Sequence, residues 1–113
     1  MASIDELWLA DFGTPYPSEP SGRRPALVLG PPDFFGSEFP IAFVAPLTTT
    51  NRGLDLHVEV PANRLTGLRE TSYVQCELLR SINVARLSRR LGAIDVETSW
   101  HVGEIVSTLL NRP

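Results

Sequence analysis

Lysine is missing from this chain of 113 residues, so all ten basic residues are arginine. Every positive charge is therefore a planar guanidinium fork, able to grip a phosphate or carboxylate at two points, and none is a compact ammonium. Cysteine is almost missing as well. The single Cys76 can neither close an internal disulfide nor supply a paired-thiolate metal clamp, which excludes disulfide scaffolds and zinc fingers. No apolar run approaches the ~18 residues of a membrane span. The opening residues, Met1-Ala2-Ser3-Ile4-Asp5-Glu6, have neither a basic region nor an apolar stretch behind them. The expectation is a cytoplasmic protein with no membrane partner. A positive excess is also absent: the formal charge is −3. That balance argues against coating nucleic acid by bulk electrostatics and leaves open only a local, arginine-lined groove.

What is present is ordinary globular material, 42% hydrophobic and 20% charged, in a length that suits one domain over residues 1–113. Glu6-Leu7-Trp8-Leu9-Ala10-Asp11-Phe12 reads as a strand closed by Gly13-Thr14-Pro15. Residues 13 to 24 hold three prolines, two glycines and two serines without periodicity, which predicts a surface loop reaching Arg24. Ala26–Leu29 follows as a strand, with Pro25 tolerated at its mouth. The continuous apolar run Pro40–Ala45 reads as a central strand covered on both faces, ending in Pro46-Leu47-Thr48-Thr49-Thr50.

Leu56-His57-Val58-Glu59-Val60 alternates, with His57 and Glu59 on a wet face. From Thr71 to Ile82, Val74, Cys76, Leu78 and Ile82 are expected inward and Tyr73, Gln75 and Glu77 outward. Arg80 breaks the inward set and calls for a bulge or turn near Glu77. Arg86, Arg89 and Arg90 form a basic cluster near the end of the strand region. Beyond Asp95, a suitable N-cap, the period changes. Val102, Ile105, Val106 and Leu109 follow i, i+3, i+4, i+7, giving a helix of about four turns, near whose start Trp100 and His101 are expected to pack. The sum is five or six short strands and one C-terminal helix, a mainly β barrel with helical cover.

Three pieces carry chemistry. Ser18-Glu19-Pro20-Ser21-Gly22-Arg23-Arg24-Pro25 sets an acid and two arginines at the mouth of a strand. Thr48-Thr49-Thr50 offers hydroxyls that can form a turn or donate to an anion. The third runs Thr66-Gly67-Leu68-Arg69-Glu70-Thr71-Ser72-Tyr73-Val74-Gln75-Cys76-Glu77-Leu78-Leu79-Arg80-Ser81-Ile82. In this order and spacing they resemble the MazF/PemK (Kid) family of toxin endoribonucleases from bacterial toxin–antitoxin systems, over nearly the whole chain.

The resemblance implies an SH3-like barrel of the CcdB/Kid/MazF type acting as a homodimer. It also implies cleavage of single-stranded RNA with no metal or cofactor, by turning the 2′-hydroxyl on its own phosphate, and inhibition by a MazE-like antitoxin with a disordered acidic tail. The family's essential arginine falls on Arg24, its essential threonine on Thr48 and its loop acid on Glu19; its RNA-contacting positions fall on Ser72 and Glu77. Arg52 and Leu54, in the loop after the threonines, are candidates to grip backbone and stack a base. A pentacoordinate phosphate needs fixed donors, which suits Arg24 and Thr48. Whether Glu19 or Arg24 takes the proton stays open, since arginine is a poor base. Many relatives follow the acid with Gln where this chain has Leu78, so their base preference does not transfer.

Two rival readings remain. One is a CcdB-like, non-enzymatic gyrase poison. That type needs a C-terminal aromatic and glycine, which Leu109-Leu110-Asn111-Arg112-Pro113 lacks. The other is a family member that binds antitoxin but cleaves nothing.

Overall fold

A computed structural model describes residues 2–14, 17–18, 21–36 and 38–112. Seven strands and one helix follow in chain order: β1 (Glu6–Asp11), β2 (Arg23–Gly30), β3 (Ile41–Thr48), β4 (His57–Val60), β5 (Ser72–Gln75), β6 (Arg80–Asn83), β7 (Leu87–Ala93) and α1 (Val96–Leu109). All pairings are antiparallel, in the order β4-β5-β3-β2-β1-β7, with β6 also on β3.

β3 organises the barrel. One edge holds β2, while the other is shared, Ile41–Val44 pairing with β6 and Leu47–Thr48 with β5. A 3-10 turn at Cys76–Leu78 lets the chain change partners along that edge. This is the break that Arg80 signalled, and it turns one expected strand into two. The remaining extra strand, β7, hides in the arginine cluster. Its two leucines, Leu87 and Leu91, stand four residues apart and show no period of two. Arg23, expected in the loop, belongs to β2, as does Arg24, expected at the loop's end where the strand opens. The hairpin ladder continues past it, with Phe12 donating to Gly22 O at 2.8 Å and Gly22 to Gly13 O at 2.8 Å.

Alternating residues of β1–β3 feed two cores, which is why the central run is apolar throughout. Leu7, Leu27, Ala45 and Leu47 pack with Val58, Val60, Val74 and Cys76 beneath Ile94 and Val102. On the other face Ala10, Ala26, Val28, Ala42 and Val44 pack with Phe12 and Ile82. Each fully buried Leu or Val contributes roughly 1.5–3 kcal/mol. The barrel closes where the β4–β5 connection meets β7. There Ala93 N–H donates to Leu65 O at 2.9 Å, and the Gly67 and Gly92 backbones come so close to Leu91, Leu65 and Thr66 that neither has room for a Cβ.

Asp95 caps α1 as expected, its carboxylate accepting from Thr98 N–H at 2.8 Å. Val102 is buried, and Ile105 and Val106 are partly buried against the first core. Trp100 and His101 do not pack: Trp100 is 69% exposed and His101 is exposed. At 100° per residue, Trp100 lies about 200° from Val102, on the far side of the helix. Among the described residues no helix is long and apolar enough to cross a membrane.

Candidate active site

The β2–β3 register runs Val28–Val44, Leu27–Ala45 and ends at Ala26–Pro46; counting on two residues past that last pair brings Arg24 of β2 level with Thr48 of β3. Both side chains leave the same face of the sheet, as cross-strand neighbours do. Arg24 is half-buried, and its Nε donates to Ser21 O at 3.1 Å. That bond aims the fork, and among the described residues its terminal nitrogens have no hydrogen-bond partner. Thr48 Oγ1 accepts from Thr50 N–H at 3.2 Å, closing a turn. Its hydroxyl proton therefore remains available to an anion, so the threonine run is both turn and donor. Arg24 opens onto a groove of about 450 Å3 that Arg52, Leu54, Gln75, Glu77, Leu78 and Ser18 complete.

The 3-10 turn between β5 and β6 builds the opposite wall. It swings Glu77 out of strand register and folds it back over the end of β4, where His57 Nε2 meets Glu77 Oε2 at 2.8 Å. His57, expected on a wet face, is buried, its side chain 3% exposed against 29% for Glu77. Gln75, its register partner on β5 and also expected outward, is buried too. The wet face of β4 survives only at Glu59. Among the described residues, His57 Nδ1 and Gln75 Oε1 are buried without a hydrogen-bond partner. Each such stranded atom costs about 1–3 kcal/mol.

Residues 5–110 match the family described as "PemK-like, MazF-like toxin of type II toxin-antitoxin system". The chain belongs to that family. Endoribonuclease MazF3 of Mycobacterium tuberculosis is 45% identical to it over 49 residues, 43% of this chain and 46% of the relative, so the match spans under half the relative's length. Among solved structures, MazF from Deinococcus radiodurans superposes with a TM-score of 0.83 at 24% identity, covering 97% of this chain and 96% of that one. The Mycobacterium tuberculosis toxin MazF-mt6 gives 0.77 at 26% identity, covering 96% and 98%. The expected mainly β barrel with a C-terminal helix is the fold of these toxins.

Within this PemK-like, MazF-like chain the candidate residues do not all converge. Arg24, Arg52, Leu54 and Glu77 share the groove, with Thr48 level with Arg24. Ser72 does not join them. It is buried, donates to Glu70 O at 3.0 Å and lines a separate hollow of about 270 Å3 with Leu9, Pro25, Thr49, Arg69 and Arg89. Pro25 and Arg24 are neighbours on one strand and so face opposite sides of the sheet. Glu19 lies outside the described residues. Of the basic cluster, Arg86 donates to Asp11 O at 3.3 Å and Arg90 to Glu6 Oε2 at 2.7 Å. Burial raises the Glu6 carboxyl, but the Ser3 amide, Arg90 and Trp8 outweigh it and hold the group below its usual range. Cys76 is a core residue, as expected, its thiol pushed up to about 11 by burial first and by the Glu77 carboxylate second.

The sequence reading missed Gln75 as part of the groove wall and His57 as the residue bonded to Glu77 behind it. Their signal was present in the break at Arg80. A turn there must carry Glu77 back over the preceding strand pair, and His57 and Gln75 head that pair.

Proposed function

We propose that this chain is the toxin endoribonuclease of a type II toxin–antitoxin system and cuts single-stranded RNA at preferred sequences. The observation that supports it most is the groove that brings Arg24 together with a second cation, Arg52, and one described carboxylate, Glu77, with Thr48 level with Arg24 when the β2–β3 register is counted on past Ala26–Pro46. A phosphodiester seated on Arg24 and Thr48 meets a charged fork and a hydroxyl donor. The 2′-oxygen of the preceding ribose attacks the phosphorus, the bond to the 5′-oxygen breaks, and the products are a 2′,3′-cyclic phosphate and a 5′-hydroxyl. Charge grows on the non-bridging oxygens in the transition state, where fixed donors act most strongly. Glu19 is our choice for the group that takes the 2′-hydroxyl proton, because a guanidinium is already protonated and has no lone pair with which to accept it. The departing 5′-oxygen takes its proton from solvent. The nucleophile is internal, so this chemistry needs no metal-activated water and no cofactor.

Arg52 and Leu54 flank the groove as backbone and base contacts, Glu77 reads a base edge, and Ser72 serves a neighbouring nucleotide from its own hollow. Residues 1–113 act as one domain, and two copies form a homodimer in the cytoplasm. A MazE-like antitoxin silences the toxin by laying a disordered acidic tail on the arginine-lined groove, where charge complementarity favours it.

The test is a long RNA incubated with the purified protein in excess EDTA, with the 5′ fragments examined for their terminal group. Cleavage that leaves a 2′,3′-cyclic phosphate supports the proposal. Loss of activity in EDTA, or a plain 3′-hydroxyl product, refutes the mechanism. Intact RNA with poisoned gyrase supports the CcdB-like alternative instead.

A further inference from the structure

We infer that His57 is a positioning residue of the groove: its buried Nε2–H holds one oxygen of the Glu77 carboxylate and leaves the other to read an N–H donor on an RNA base. The inference rests on the endoribonuclease reading and adds to it a residue that the cleavage chemistry does not use.

Glu77 hangs from a 3-10 turn, and its carboxylate is part-exposed. An unrestrained glutamate in such a place samples several rotamers, and a group that samples rotamers discriminates poorly between bases. One contact restrains it, the 2.8 Å bond from His57 Nε2 to Oε2. The ring that makes this bond is itself immobile, since its side chain is 3% exposed and its backbone pairs with Gln75 across β4 and β5.

The unsatisfied atoms explain why the residue is a histidine. A leucine or phenylalanine at the head of β4 would fill the space beside the first core without stranding Nδ1, so packing alone does not account for an imidazole. A carboxylate only accepts, so the proton must sit on Nε2. Nδ1 is then an acceptor, and it has no hydrogen-bond partner among the described residues. Nothing on the buried side competes for the ring proton. The tautomer is fixed, and with it the face that Glu77 turns to the groove. Bases of single-stranded RNA can be splayed out and read on their edges. An acceptor-only carboxylate selects the edge that leads with an N–H donor, such as the exocyclic amino group of adenine, cytosine or guanine. It disfavours uracil, whose single N–H is flanked by carbonyl oxygens.

Cut sites on one long RNA, mapped by sequencing the 5′ ends of the fragments, test this with the wild-type protein and the Glu77→Gln, His57→Leu and His57→Gln variants. The wild type should disfavour uridine at one position near the cut. Glu77→Gln should lose that preference, and His57→Leu should lose it at the same position by about ten-fold in kcat/KM, mostly through KM. His57→Gln, which returns an N–H near the site of Nε2, should restore much of it. The double variant His57→Leu/Glu77→Gln should discriminate no worse than Glu77→Gln alone. Circular dichroism confirms that each variant is folded. A purely structural role for His57 would lower Tm and leave base preference unchanged. Preference retained in His57→Leu, or lost at a different position from that lost in Glu77→Gln, overturns the inference while the nuclease reading stands. Absence of cleavage by the wild type overturns both.

Discussion

Arg24→Ala tests the proposed chemistry where it is most exposed to error. In the folded chain Nε is engaged with Ser21 O, which leaves the terminal nitrogens for two charge-assisted bonds to phosphate oxygens. At roughly 1.5–3 kcal/mol each and about 1.36 kcal/mol per decade of rate, losing both slows cleavage by roughly two to four orders of magnitude. The structural cost is far smaller. One hydrogen bond from a half-buried side chain contributes about 1 kcal/mol, a fall in Tm of a few degrees in a domain of this size. Arg24→Lys keeps the charge but loses the fork, and its rate should lie between wild type and alanine. Arg23→Ala is the control. Arg23 is exposed, and its strand register pairs it with Asp11 while its side chain leaves the opposite face from Arg24. Single-turnover cleavage of a fluorescent oligonucleotide, read beside a thermal melt, separates the two effects. An Arg24→Ala rate within ten-fold of wild type, or a larger loss from Arg23→Ala, would refute the assignment of Arg24.

The barrel seam and the helix make an opposed pair of stability predictions. Gly92→Ala forces a methyl into the backbone of Leu65 and Thr66 and should lower Tm or block folding, whereas Gly103→Ala meets open space within α1 and should stabilise by about 0.5–1 kcal/mol. Equal melts for the two variants would contradict the seam. With its thiol held near 11 by burial and Glu77, Cys76 should resist iodoacetamide at pH 8 and react only when denaturant opens the core; native labelling at the rate of a free thiol would contradict this. The Asp95 carboxyl is held below its usual range by the Thr98 hydroxyl and amide. The stabilisation from its cap is thus complete above the ordinary carboxylate pKa and is lost as pH falls through the lower, folded-state value. Asp95→Asn caps without a charge, so its Tm should fall less than the wild type's between pH 5 and pH 2; parallel curves would show that the cap carries no such linkage.

How far the fold could be read ahead depended on how local its cause was. β1, the inner part of β2 and the central strand announce themselves because apolar runs bounded by Gly and Pro have few other uses. The helix does so because Asp95 caps a clean 3.6-residue period. β7 was invisible, since it is held by pairing with β1 and by the docking of Leu65–Gly67 on Leu91–Gly92, both contacts with residues far away in sequence. The start of β2 at Arg23 is hard to read ahead for a related reason. Proline and glycine mark where a hairpin turns, but the ladder with Asp11 and Phe12 decides how close to the tip the strands persist.

The candidate site divides along the same line. The residue types of Arg24 and Thr48 suit phosphate chemistry in any fold, and the register of β2 with β3, counted on past Ala26–Pro46, then brings them level. Alternation with Val58 and Val60 inward puts His57 on the wet face, a rule that holds only while the neighbouring surface is flat. Here β3 accepts two partners on one edge, the chain must break between them at Cys76–Leu78, and the break folds an acid over the strand beside it. The change of partner that closes the second core also buries His57 and aims Glu77. Shortening or straightening that turn should therefore disturb base selection before it disturbs the Arg24–Thr48 pair, which hangs from the opposite edge of β3.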